Sequence, residues 1–230
     1  MSPSPRVGST RPEGVLLDMD GLLVDTEPVW FAVESEVAAR LGGPWTPEHQ
    51  QALLGSSLPA AAGYMLEISG AGVATETVQG WLLDGMAQRL RDGPPALLPG
   101  AADLLAGIGA ADLPCALVSS SYRVLMDTVV AGLRASLGAL PFHITVAGDE
   151  VTHRKPHPEP YLAAAAALGA DPARCVVLED SPTGVASAEA AGCAVVVVPS
   201  LVPVGPGPRR DVLVSLRDLD WADVGVLLAS

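Results

Sequence analysis

Gly14-Val15-Leu16-Leu17-Asp18-Met19-Asp20-Gly21-Leu22-Leu23-Val24-Asp25-Thr26 is the stretch on which the fold turns. Its first four residues form an apolar run that stops at Asp18, and Asp20-Gly21 is a turn signal, so it reads as a short buried strand ending in carboxylates. Two later apolar runs end in the same way: Ala116-Leu117-Val118 in Ser119, and Val176-Val177-Leu178 in Glu179-Asp180. In an open parallel sheet the carboxyl ends of the strands share one edge, where ligands bind. Carboxylates crowded there with a hydroxyl repel one another unless a cation sits among them, and hard oxygen ligands of this kind suit Mg²⁺.

Outward from that strand the chain divides by its punctuation. From Glu27 to Leu41, Val29, Val33, Val37 and Leu41 recur every fourth position, which predicts a helix. Further helices are predicted over Pro47–Leu54, Leu58–Ile68 and Thr75–Arg91, with no strand between them. After Gly93-Pro94-Pro95 the pattern alternates. Helices are predicted at Ala101–Ile108, Tyr122–Leu133, Pro158–Leu168 and Pro182–Ala191, and strands at Cys115–Val118, Ile144–Val146, Cys175–Leu178 and Ala194–Val198. Such alternation means a parallel sheet covered by helices. Ser181 as N-cap with Pro182 after it is a start signal, and Gly192 a stop. Pro199–Pro208 reads as a loop and Leu216–Leu228 as a last helix. The expected division is a disordered tail over 1–13, an α/β core from 14–26 and 98–230, and a helical insertion over 27–97.

At 230 residues, 49% of them apolar and 17% charged, the chain is long enough to bury a sizeable core. Its formal charge of −13 disfavours nucleic acid and anionic membranes, so an anionic substrate needs a local device to hold it. Apolar runs such as Cys193–Val198 fall well short of the roughly 20 residues that span a bilayer. The first thirteen residues lack the apolar stretch of a secretory signal, so a cytoplasmic location is expected; a monomer is expected as well. Cys115, Cys175 and Cys193 have no C-x-x-C spacing and sit beside strand residues, as buried reduced thiols do.

Of 13 basic residues only Lys155 is lysine. A compact ammonium fits between a phosphoryl oxygen and a carboxylate where a planar guanidinium does not. Lys155 lies in Arg154-Lys155-Pro156-His157-Pro158, a loop stiffened by proline.

Asp18-Met19-Asp20-Gly21 through Thr26, Ser119 after an apolar strand, Lys155-Pro156, and Glu179-Asp180-Ser181 with Gly184 together resemble the four ordered motifs of the haloacid dehalogenase-like hydrolases. The helical insertion is similar to the cap of the β-phosphoglucomutase-like phosphatases. The resemblance implies a Rossmann-like α/β core, a parallel sheet with helices on both faces, and an inserted all-helical cap. It further implies that Asp18 is the nucleophile and forms an aspartyl-phosphate, and that Asp20 serves as general acid and then base. Ser119, Ser120 and Lys155 would hold the phosphoryl group. Mg²⁺ would be bound by Asp18, the backbone carbonyl of Asp20 and Asp180, with Glu179 acting through water. The implied substrate is a small phosphorylated metabolite, a sugar or polyol phosphate.

Rival readings separate on single residues. Asp18 and Asp20 as mere turn residues leave the convergence of the other strand ends unexplained. A calcium loop would need Asp or Asn and then Gly where Leu22 and Leu23 stand. His153 and His157 have the spacing of a helical zinc pair, but Pro156 opposes a helix there. No P-loop or G-x-S-x-G pattern is present. Within the family, Asp20 favours phosphoryl transfer over dehalogenation, and the cap lacks the lysine of phosphonate-cleaving relatives. Mutases carry His where Trp30 stands and Arg where Leu58 stands, so mutase activity is the runner-up; a phosphoacceptor signalling module is a more distant alternative. Trp30 either packs on the core or stacks over a substrate, and Tyr122 and Arg123 either contact substrate or simply start a helix.

Overall fold

A computed structural model describes residues 11–53 and 55–229 of the chain. Six strands form one parallel sheet in the order β5-β4-β1-β6-β7-β8: β1 (Gly14–Leu17), β4 (Cys115–Val118), β5 (Ile144–Val146), β6 (Cys175–Glu179), β7 (Ala194–Val197) and β8 (Arg210–Val212). The chain steps from β1 to neighbours on either side, so the end of β1 is the switch point where an α/β sheet opens a crevice.

Strand alternation sorts the core into two layers. Val15, Leu17, Leu117, Val176 and Leu178 enter one apolar cluster, while Leu16, Ala116, Val118, Val177 and Val195 enter the other. Helices α5 (Ala101–Ala110) and α6 (Arg123–Leu137) supply the first cluster with Ile108, Met126 and Val129. Helices α7 (Glu159–Leu168) and α8 (Pro182–Ala190) supply the second with Tyr161, Ala164 and Val185. Both faces are therefore covered, and the Rossmann-like class expected from the sequence is the one observed. The three cysteines are buried and free, and burial pushes each thiol up to about 12.

Between β1 and β4 lie α1 (Glu27–Arg40), α2 (Pro47–Leu53), α3 (Leu58–Ser69) and α4 (Thr75–Asp92). The sequence reading missed what brackets them. β2 (Val24–Asp25) and β3 (Ala96–Leu97) pair antiparallel, and Leu98 N–H donates to Leu23 O at 2.9 Å. Two-residue strands are too short for any periodicity to register.

Three other expectations change. The tail foreseen over 1–13 lies outside the described residues up to residue 10, but Arg11 donates to the carbonyls of Ala111 (2.6 Å) and Asp112 (2.7 Å), and Glu13 pairs with Arg174. These long-range contacts tie the segment down just before β1. β8, after the Pro/Gly loop, contains Arg210 and Asp211 and has no apolar run; it exists because Val195–Val197 offers it an edge. The last helix is shorter than foreseen, a 3₁₀ turn over Leu216–Asp218 followed by α9 (Trp221–Ala229). Leu54, expected to end the second helix, lies outside the described residues.

Candidate active site

The carboxyl edge of the sheet opens into a cavity of about 460 Å³ lined by Asp18, Asp20, Ser119, Ser120, Tyr122, Lys155 and Asp180 from the core and by Trp30 from α1. Eight of the ten residues singled out from the sequence thus meet in one place. Glu179 lies directly behind, wholly buried, and Arg123 is not brought to the cavity. The Arg123 guanidinium is committed elsewhere, to Glu150, to Asp127 at 3.2 Å, and to Thr145 Oγ1 (2.8 Å) and O (3.1 Å). It anchors the start of α6 on β5.

Lys155 is the centre of the arrangement. Its Nζ donates to Asp18 Oδ1 at 2.6 Å, Glu179 Oε1 at 2.7 Å and Val118 O at 3.0 Å, and its side chain is only 4% exposed. Burial opposes the charge, but Asp18 and Glu179 outweigh it and hold the ammonium more strongly protonated than an ordinary lysine. Five donors converge on the two oxygens of Glu179: Lys155 Nζ, Tyr161 Oη (2.7 Å), the N–H groups of Asp180 (2.9 Å) and Ser181 (3.2 Å), and Ser181 Oγ (3.2 Å). Burial raises its pKa and Lys155 lowers it, with a net shift downward, so Glu179 is a fixed anion that aims Lys155.

Asp20 is held by three hydroxyls, Thr26 Oγ1 at 2.8 Å to Oδ1, and Ser121 Oγ at 2.8 Å and Ser119 Oγ at 3.1 Å to Oδ2. Thr26 occupies the N-cap position of α1 without capping it, because its hydroxyl is turned to Asp20. A hydroxyl can donate or accept, so the same three side chains hold Asp20 with or without a proton. Ser200 Oγ donates to Asp180 Oδ2 from the loop after β7. Gly21 is required here: its φ is +82°, and a Cβ would approach Asp180 Oδ2 to 2.1 Å.

The charge at this edge is not balanced by the protein. Oxygens of Asp18, Glu179 and Asp180 lie within 4.8 Å of one another around one ammonium. Burial, partly offset by Lys155, raises Asp18 well above the usual carboxylate range; burial and then Glu179 push Asp180 up to about 7. Two cavity-facing carboxylates that resist ionisation together, with only oxygen donors around them, are the donor set a hard divalent cation would satisfy. A second group of metal-ligating types is formed by His153 and His157 on the exposed loop, their imidazole centroids 4.4 Å apart, and Glu159 at the start of α7.

The model of the haloacid dehalogenase-like hydrolase family matches residues 12–192. The chain belongs to that family. This member is 35% identical over 191 residues to hexitol phosphatase A of Escherichia coli (strain K12), a match covering 82% of this chain and 83% of that protein. It is 32% identical over 195 residues to protein CbbY of Rhodobacter capsulatus, covering 82% and 86%. The crystal structure of CbbY from Rhodobacter sphaeroides in complex with phosphate matches with a TM-score of 0.78 at 27% identity, covering 90% of this chain and 96% of that one. Ser121, Tyr161 and Ser200 escaped the sequence reading, and Thr26 was quoted within the first motif without a role, since a lone hydroxyl carries no signal until the fold turns it inward.

Proposed function

We propose that the chain is a magnesium-dependent phosphomonoesterase that hydrolyses a sugar or polyol phosphate through a phosphorylated Asp18. The observation that carries this reading is Lys155 Nζ between Asp18 Oδ1 and Glu179 Oε1. An ammonium so placed neutralises the carboxylate that must approach an anionic ester, and can follow charge onto the phosphoryl oxygens. The likeness to hexitol phosphatase A supports the polyol assignment.

In the first step an Asp18 oxygen attacks phosphorus, the bond from phosphorus to the ester oxygen breaks, and Asp20 gives its proton to the departing alkoxide. In the second, Asp20 takes a proton from water, the resulting oxygen attacks phosphorus, and the bond from phosphorus to Asp18 breaks to release phosphate. Ser119 and Ser120 join Lys155 in holding the phosphoryl group. Magnesium would be held by Asp18, the backbone carbonyl of Asp20 and Asp180, with Glu179 through water, and when bound supplies the positive charge the carboxylates lack. Residues 27–97 act as a cap over the cavity, with Trp30 stacking on the substrate and excluding water.

Phosphate release from hexose, pentose, polyol and glycolytic phosphates, with and without Mg²⁺ and with Asp18→Asn in parallel, tests the reading. Catalytic, Mg²⁺-dependent release that falls at least about a thousandfold in the variant is expected. Release independent of Asp18, or a stable phospho-Asp18 without turnover, overturns it.

A further inference from the structure

The wall of the cavity opposite the motif residues is acidic. Glu27, Trp30 and Glu34 stand at positions i, i+3 and i+7 of α1, so they share one face, and all three line the cavity. Gln50 from α2 joins them, donating from Nε2 to Glu27 Oε2 at 3.1 Å while its Oε1 accepts from Trp45 Nε1 at 3.2 Å. That leaves the Gln50 amide fixed on both sides. Glu34 differs from its neighbours. It is only 5% exposed, and its Oε2 is buried with no hydrogen-bond partner. A buried acceptor without a donor is costly, and it persists where something else supplies the donor. Among the described residues lining the cavity, the lysine and arginine, Lys155 and Arg154, both come from the core loop, and Arg154 is stacked over Tyr122 at 4.5 Å. Among the described residues, no cation lines the wall formed by α1 and α2.

We propose that Glu34, with Glu27 beside it, forms a hydroxyl-binding subsite that accepts from the leaving group of the substrate and turns away leaving groups carrying a second negative charge. The proposal rests on the phosphatase reading and deepens it, from sugar and polyol phosphates to those whose leaving group carries no second charge, with Glu34 as the residue that selects them. An alkoxyl hydrogen supplies the donor that Glu34 Oε2 lacks. A second phosphate or a carboxylate at the same position would bring anion against anion in a site of low dielectric. Burial, followed by the charge of Glu27, pushes the Glu34 carboxyl up to about 7, with a hydrogen bond from the Trp45 side chain to that carboxyl offsetting part of the rise; above that pH the carboxylate accepts from a hydroxyl and repels an anion.

The test compares kcat/KM for sorbitol 6-phosphate with that for hexyl phosphate, a chain of the same length lacking the hydroxyls, in wild type, Glu34→Gln and Glu34→Leu. Thermal melts establish that each variant is folded, and the isosteric Gln form secures the comparison if the Leu form does not fold. The wild type is expected to favour sorbitol 6-phosphate, and both variants to lower that ratio by about tenfold or more, chiefly through KM. The wild type should also turn over fructose 6-phosphate at least about tenfold better than fructose 1,6-bisphosphate, with the gap narrowed in Glu34→Gln. An unchanged ratio in folded variants that still hydrolyse hexyl phosphate overturns the subsite and leaves the phosphatase reading standing. A preference for glucosamine 6-phosphate over glucose 6-phosphate overturns the hydroxyl assignment in favour of an ammonium. If the wild type releases phosphate from none of these esters in Mg²⁺, the phosphatase reading fails and the subsite with it.

Discussion

Lys155 and Glu34 are both buried ionisable side chains, and they differ in whether their partners belong to the chain. Lys155 has three acceptors at 2.6–3.0 Å, and a guanidinium cannot take its place because the planar fork would strike Asp18 or Glu179. Lys155→Arg is therefore expected to lower kcat by about a hundredfold or more although the charge is kept, measured as phosphate release at saturating Mg²⁺. Glu34 has an orphan oxygen, and its proton is held more tightly in the folded chain than in the unfolded one, where the carboxyl has its usual value of 4.5. The folded state then binds more protons between pH 4.5 and about 7, so this group contributes less stability as pH rises through that window. Glu34→Gln should raise the melting temperature relative to wild type, by about 1–3 kcal/mol in stability, and by more at pH 8 than at pH 5. A larger gain at pH 5 would contradict the assignment. Lys155 was legible in the sequence because no other lysine surrounds it. Glu34 was not, since one glutamate on an amphipathic helix looks like any solvated position until the fold turns that face inward.

Among the elements, those with a pattern to read were found: β1, β4, β6 and β7 as apolar runs, and α8 from Ser181, whose Oγ accepts from Gly184 N–H at 3.1 Å. Those defined only by a pairing partner, β2, β3 and β8, were not. Gly184 shows how tightly an element and a residue are joined. A Cβ there would come 1.7 Å from Glu179 Oε1, and Glu179 cannot retreat because five donors hold it. Gly184→Ala is expected to lower kcat by about a hundredfold and stability by about 2–3 kcal/mol, seen together in turnover and urea unfolding. Tyr161→Phe removes one of the five donors and tests the same support more gently. It should cost about 1–2 kcal/mol and lower kcat without abolishing it.

For the whole molecule, a formal charge of −13 and a cluster of carboxylates around one ammonium make binding of a cation a stability measurement as much as a catalytic one. Mg²⁺ at a hundred times its Kd should raise the melting temperature by roughly 5–10 °C, and Asp180→Asn should abolish the rise. An equal shift in the variant would place the ion elsewhere.

The β2–β3 ribbon gives the molecule another property. Both crossings of the chain into and out of the four helices run side by side and are pinned by Val24 against Leu97. A change of length between them begins and ends at adjacent seams, outside the pairings that set the register of the six-stranded sheet. On the function proposed above, substrate choice and phosphoryl chemistry would then be separately heritable, and a descendant gene would acquire a new diet by recombination at two codon clusters while keeping its chemical step intact.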